Sequence, residues 1–249
     1  MVTYENGEKA NDIKSYRFCP TVAKMDPQAE ATHGISMEQL RGEPTFESKA
    51  VEIRDTLAQA NSLMGYNLRF DLKMLQAEYC TAGVEPLALA GVAIIDPFFI
   101  WDAQRRKCKG ERRKLVNAHQ VFLGEPMENA HNAAADIIAT AHVYNAMVED
   151  FHLAGLDGAA IDRMYRGNKI DFEGKFVRNP QGEVVFNFGQ HKGMAVVDPS
   201  FKSYLDWMVS RGDFFPDARR IAELARKFST DKDTFNATIG DSHRQHVLA

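Results

Sequence analysis

Apolar residues in this chain fall into short runs ended by turn residues and into stripes at helical spacing. Residues 1–18 read as two strands around a tight turn: Val2-Thr3-Tyr4 leads into Glu5-Asn6-Gly7-Glu8, and Ile13 to Phe18 alternates back. A loop follows, with Pro20, Pro27 and Thr32-His33-Gly34-Ile35-Ser36. From Pro44, the residues Phe46, Ala50, Ile53 and Leu57 keep the stripe of a half-buried helix. Leu63 to Tyr66 is a short apolar strand, and Leu72, Leu75 and Tyr79 mark the inner face of a helix over 71–82. Val92 to Asp96 is another apolar run, closed by Asp96-Pro97, with a helix from about Phe98. Leu115, His119 and Phe122 define a further helix, on which His119 is structural. Gly124 and Pro126 break it, and a long helix from about Ala134 turns Ile137, Ala141, Tyr144 and Val148 inward.

Strands alternating with helices after an opening hairpin predict an α/β layer with a mixed sheet, antiparallel first and parallel later. Gly155, Gly158 and Gly167 then punctuate the chain, which gives a first domain over 1–155. A small α+β module is expected over 168–228. It contains a hairpin of Phe176-Val177 and Val184 to Phe188 around Asn179-Pro180-Gln181-Gly182, a loop Gly189-Gln190-His191-Lys192-Gly193, and a short strand at 195–197. A helix from Pro199 carries Tyr204, Leu205, Trp207 and Met208, and another runs from about Asp217 to Phe228. Phe186, Phe188 and Trp207 read as the core of this module. Residues 229–249 are polar with little periodicity and read as a mobile tail.

Composition narrows the function classes. A net charge of −4 excludes a generally basic nucleic-acid coat, so any contact with phosphates is local or runs through metal ions. Cys19, Cys80 and Cys108 lie far apart without a Cys-x-x-Cys, which argues against a zinc site or a disulfide framework. No apolar run is long enough to span a membrane, and Glu5, Glu8 and Asp12 interrupt any secretory signal pattern. The simplest expectation is a cytoplasmic protein with no membrane contact.

Two stretches concentrate the chemistry. Asn67-x-x-Phe70-Asp71-x-x-x-Leu75 puts a carboxylate at a helix start after a Gly-Tyr-Asn turn, and His131-x4-Asp136 puts a histidine and a second carboxylate at another helix start. Aspartates in such places suit hard divalent cations, and an imidazole suits proton transfer near neutrality. The cluster Arg105, Arg106, Lys107, Lys109, Arg112, Arg113 and Lys114 reads first as a solvated face.

Together these motifs resemble the DEDD superfamily of 3′–5′ exonucleases, in the subclass with a histidine in its last motif, similar to the proofreading exonucleases of bacterial replicative polymerases. Thr32 to Ser36 resembles that family's loop before the first long helix, and Phe122-Leu123-Gly124 with Ala130-His131 fits the approach to its final motif. The resemblance covers about residues 1–150 and implies an RNase H-like fold, a mixed sheet flanked by helices. It implies that Asp71 and Asp136 ligate two divalent cations, Mg²⁺ or Mn²⁺, and that His131 is the general base. Asn67, Phe70 and His33 would bind substrate. It implies a nucleic-acid partner, with a DNA 3′ end favoured and RNA open, and it admits a DNA polymerase as protein partner. The segment Phe188 to Gly193 with Tyr204-Leu205-x-Trp207 resembles the small module appended to exonuclease X and related nucleases, with His191 and Lys192 as nucleic-acid contacts.

The family's first motif, an Asp-x-Glu closing its first strand, is expected ahead of Met1, so the domain reads as N-terminally truncated and short of two metal carboxylates. A displaced start or a fragment is the favoured explanation. A catalytically incomplete nucleic-acid-binding relative and a sheet completed by a partner chain stay open. Asp171-Phe172-Glu173 is the only Asp-x-Glu in the chain and reads as coincidence.

Overall fold

The computed structural model describes residues 1–5, 8–9, 13–22, 24–89, 91–104, 113–128, 130, 132–211 and 214–244. It is a mixed α/β chain, mostly helical with small sheets. Strands β1 (Tyr4–Glu5) and β2 (Glu8–Lys9) pair antiparallel, Tyr4 opposite Lys9 and Glu5 opposite Glu8. The expected turn at Asn6-Gly7 lies outside the described residues. Ile13 to Phe18, expected as the returning strand, is not one. Met1 and Lys14 do exchange N–H···O bonds at 2.6 and 2.8 Å, but the chain beyond is held by side chains instead. Tyr16 and Phe18 stack at 6.1 Å, Phe18 meets Phe46 edge-on at 5.4 Å, and the Tyr16 hydroxyl donates to Glu52 at 3.0 Å.

The loop expected after Pro20 contains two helices, α1 (Pro27–His33) and α2 (Met37–Leu40). Both have explicit starts. Asp26 accepts from the Gln28 and Ala29 N–H groups ahead of Pro27, and Ser36 with Gln39 closes a capping box. A 3₁₀ turn, Phe46–Lys49, runs into α3 (Ala50–Ala58). Then come β3 (Ser62–Met64), α4 (Leu68–Thr81), β4 (Ala93–Ile95), α5 (Pro97–Ala103), α6 (Leu115–Leu123), α7 (Ala133–Asp150) and α8 (Gly158–Arg166). Ala93 N–H donates to Asn61 at 3.0 Å and Gly65 N–H to Ile95 at 3.3 Å, so β3 and β4 run parallel. The expected order, antiparallel first and parallel later, is present as separate pairs. Among the described residues the strands form three two-stranded sheets.

The chain divides into two compact units: Met1–Glu52, Met64–Leu68 and Ile95–Asp157 form the first, and Ile53–Leu63, Arg69–Ile94 and Gly158–Ala249 the second. The first is built where α5 and α6 pack on α7, around Ile100, Trp101, Ala118, Val143 and Met147. Trp101, Phe122 and Phe151 meet edge to face at 5.5 and 5.8 Å. The buried stripe of α7 is Ala139, Val143 and Met147 with Ala141, while Ile137, Tyr144 and Val148, expected inside, are half-buried. This helix is apolar on adjoining stripes, so periodicity alone does not choose between them.

The second unit is packed around β5 (Phe176–Arg178), β6 (Val184–Phe186), α9 (Lys202–Ser210), α10 (Pro216–Lys227) and α11 (Lys232–Arg244). Phe176 and Phe186 face each other across the antiparallel β5–β6 pair, at 5.7 Å, over Leu205, Met208, Ala222 and Ala225. The strand expected at 195–197 is a single bridge of Ala195 to Val185. The polar tail expected from 229 is a helix as far as Arg244, because Phe235 and Ile239, one turn apart, enter the core with 1% and 2% exposure. Trp207, expected in the core, is 41% exposed; Leu205 and Met208 of the same helix take that place.

Asp171 is fully buried and holds the turn into β5, accepting from Lys175 N–H at 3.0 Å and Phe176 N–H at 2.7 Å. Asp217 does the same for the residue after Asp171, accepting from Phe172 N–H at 2.6 Å. Burial pushes Asp171 up to about 6, against the opposing pull of those two bonds, and pushes Asp217 up as well. The folded state thus prefers Asp171 neutral. Its contribution to stability is complete below the ordinary value of 3.8 and is lost as pH rises through about 6. In urea unfolding, Asp171→Asn is expected to lose about 2 kcal/mol more stability at pH 4 than at pH 7.5. An equal loss at both pH values would contradict the raised pKa.

Candidate active site

The turn that opens α4 is built around a residue that neither motif contains. Asn67 sits in the left-handed region, with φ of 59°, where asparagine is one of the few non-glycine residues tolerated. Its own side chain does not cap the helix. The carboxylate of Asp96, only 4% exposed at the end of β4, does so: Oδ1 accepts from Asn67 N–H and Oδ2 from Leu68 N–H, both at 2.9 Å. Oδ1 also accepts from Phe98 N–H at 3.0 Å and so caps α5, where Pro97 has no N–H to offer. Two helix N-termini share one acid. The Asp-Pro pair at 96–97 was the available signal, a helix start as well as a strand end.

Tyr66, just before this turn, donates its hydroxyl to the Arg113 carbonyl at 3.2 Å and meets Phe98 edge-on at 6.1 Å. Burial and the negative charge of Asp96 both raise its pKa well above the usual tyrosine value. Arg113 also pairs with Asp102. Lys114 of the basic cluster is the N-cap residue of α6, and the cluster's residues 105–112 lie outside the described residues.

On α4, within the second unit, Phe70 is 61% exposed and Met74, one turn on, is 51% exposed. Leu72, Gln76 and Tyr79 form the opposite, buried face. Gln76 donates to the Phe214 carbonyl at 2.8 Å, Lys73 pairs with Glu173 at 2.6 Å, and Arg69 donates to the Phe172 carbonyl at 3.4 Å. Phe172 and Glu173 therefore anchor α4, and Asp171-Phe172-Glu173 is a structural turn. Asp71, in the first turn of α4, is exposed overall. Protein atoms around its carboxyl group nonetheless remove enough water to push its pKa up, with its own backbone N–H opposing.

Asp136 lies in the first turn of α7, in the first unit, behind the N-cap Asn132, whose side chain accepts from Ala134 N–H at 3.0 Å and Ala135 N–H at 3.2 Å. It is half-buried. His131 lies outside the described residues. His33 ends α1, and its Nδ1 accepts from Ile35 N–H at 3.0 Å, which leaves Nε2 as the outward nitrogen. His119 is buried, with Nδ1 2.9 Å from the Glu125 carbonyl, in keeping with a structural role. In the second unit, His191 packs its ring on Tyr204 at 4.6 Å and Phe201 at 4.9 Å, and Lys192 is exposed beside it.

Carboxylates in the first turns of two helices, open to solvent in whole or part, are oxygen donors of the kind that hard divalent cations take. Among the described residues no group of three or more His, Cys, Asp or Glu is gathered to hold a metal ion. Among them, too, no helix is long and apolar enough to cross a membrane.

Replacing Asp96 tests what holds the turn. Asp96→Ala strands three N–H groups and is expected to cost about 3 kcal/mol or more in urea unfolding. Asp96→Asn, which returns one acceptor oxygen, is expected to cost less. Near-wild-type stability in Asp96→Ala would mean the cap is dispensable.

A family model, RNase_T, described as Exonuclease, matches residues 1–144, more than half of the chain. No curated protein matches it.

Proposed function

This chain belongs to the RNase_T exonuclease family, in the DEDD superfamily with an RNase H-like fold, and on that premise we propose that it is a 3′–5′ exonuclease acting on DNA 3′ ends. The observation that carries the reading is the match over residues 1–144, which contains both motifs, Asn67-x-x-Phe70-Asp71 and His131-x4-Asp136. A nuclease implies nucleic acid as substrate, and exonuclease domains generally use divalent metals.

The residues divide the work by chemistry. Asp71 and Asp136 would hold two Mg²⁺ or Mn²⁺ ions through carboxylate oxygens. When bound, such ions supply an activated water and stabilise charge on the attacking and leaving oxygens. His131 would serve as the general base toward the attacking water, a task to which an imidazole is suited near neutrality. Phe70, with most of its ring in solvent, offers a face to the terminal base, and Asn67 and His33 offer polar groups to the nucleotide. Replication or repair of DNA in the cytoplasm, beside a polymerase, is the setting this activity fits.

The test is digestion of 3′-labelled single-stranded DNA with Mn²⁺, with and without EDTA, beside an RNA oligonucleotide of the same sequence. Release of the labelled nucleotide that EDTA abolishes is expected from the chain supplied with the family's Asp-x-Glu strand ahead of Met1, faster on DNA. His131→Ala, Asp71→Asn and Asp136→Asn are each expected to reduce it about 100-fold or more while leaving the protein folded. Undiminished turnover in Asp136→Asn would remove that residue from the metal site. Absence of any metal-dependent release with that strand supplied would remove the enzyme reading.

A further inference from the structure

We propose that Glu173 is a positioning residue for Asp71: through Lys73 it holds the back of the first turns of α4 and so sets where the Asp71 carboxylate stands. The inference rests on the reading of Asp71 as a metal ligand. It names a residue outside the segment 1–144 that carries the family match.

Arg69 and Lys73 stand two positions before and two positions after Asp71. Each residue of an α-helix turns the chain by about 100°, so both lie about 200° round from Asp71, on the opposite side of the helix and one turn apart. Gln76, the next turn on, continues their row. The second unit takes hold of all three. The Phe172 carbonyl accepts from Arg69 at 3.4 Å, Glu173 Oε1 meets the Lys73 ammonium at 2.6 Å, and the Phe214 carbonyl accepts from Gln76 at 2.8 Å. Phe70 and Asp71 stay exposed.

The clamp is rooted in its own core. Asp217 accepts from Phe172 N–H at 2.6 Å, the Phe172 ring meets Phe215 at 4.9 Å, and Asp171 fastens the residues that follow into β5. The Glu173 side chain is 4% exposed, and its Oε2 accepts no hydrogen bond among the described residues. Lys73 is 51% exposed, so water screens the pair, and as a source of stability it is weak. A leucine at 173 would avoid the stranded oxygen. What the acid adds is direction. Polar contacts along one row fix the rotation of α4 about its axis, and a rotation of the helix moves the carboxylate on its far side.

The test compares Glu173→Leu, which buries no unpaired charge and leaves Lys73 in water, with Glu173→Gln, which keeps an acceptor for Lys73. In the chain as it stands, hydrogen exchange is followed at the amides of Leu72 to Leu75 in α4 and of Leu205 to Met208 in α9. Glu173→Leu is expected to speed exchange in α4 about ten-fold and to leave α9 unchanged, with Glu173→Gln near wild type. In the chain supplied with the Asp-x-Glu strand, Glu173→Leu is expected to lower kcat for nucleotide release about ten-fold with KM unchanged. In an Asp71→Asn background it is expected to add nothing, because it acts through that carboxylate. Unchanged exchange in α4 would overturn the proposal, and so would equal acceleration in α9 or a loss that adds in full to that of Asp71→Asn. Nucleotide release that Glu173→Leu leaves intact sinks the positioning role alone. Faster exchange in α4, in a protein that releases no nucleotide even before substitution, keeps the clamp and sinks the enzyme reading.

Discussion

Three backbone N–H groups converge on the buried carboxylate of Asp96, and the first turn of α4 exists because they do. A carboxylate removed from water costs several kcal/mol unless its charge is met. Here two helix N-termini meet it, each adding N–H donors and the positive end of a dipole. The dependence runs both ways. Asn67 in its left-handed conformation cannot serve α4 as an ordinary N-cap, so without Asp96 the helix would open on unpaired donors. The end of β4 thus fixes where α4 begins, and with it the turn that carries Phe70 and Asp71.

The second unit uses the same device twice. Asp171 holds the entry to β5 and Asp217 holds the residue before Glu173, each through backbone N–H groups. These two acids are crowded together in an apolar setting, and their raised pKa values record the cost. Their oxygens are committed to the backbone. An Asp-x-Glu in sequence is therefore no guide to a metal site: Asp171 is tied to its own turn and Glu173 to Lys73.

Where burial follows from a clear stripe, the helices were legible in advance, as with Leu72 and Tyr79 on α4. Where two stripes adjoin, as on α7, the pattern gave the helix and misplaced its inner face. The short helices α1 and α2 were hidden because they bury almost nothing. Their signal is in their caps, Asp26-Pro27 and Ser36 with Gln39, and not in any apolar period. Helix α11 was missed for a related reason, since two residues, Phe235 and Ile239, carry its burial within a polar stretch. At the candidate site, the motif residues could be named from spacing alone. Asp96 could not, because its role depends on a contact with residues about thirty positions earlier in the chain, which no local pattern encodes.

Phe70 and Trp207 stand out for the same physical reason. Each leaves a large ring in water on a helix whose core is already filled by its neighbours: Leu72 and Gln76 on α4, and Leu205 and Met208 on α9. Single exposed apolar side chains are ordinary on protein surfaces, so exposure alone assigns neither ring a partner; for Phe70 the argument comes from its place one residue before Asp71 in the motif.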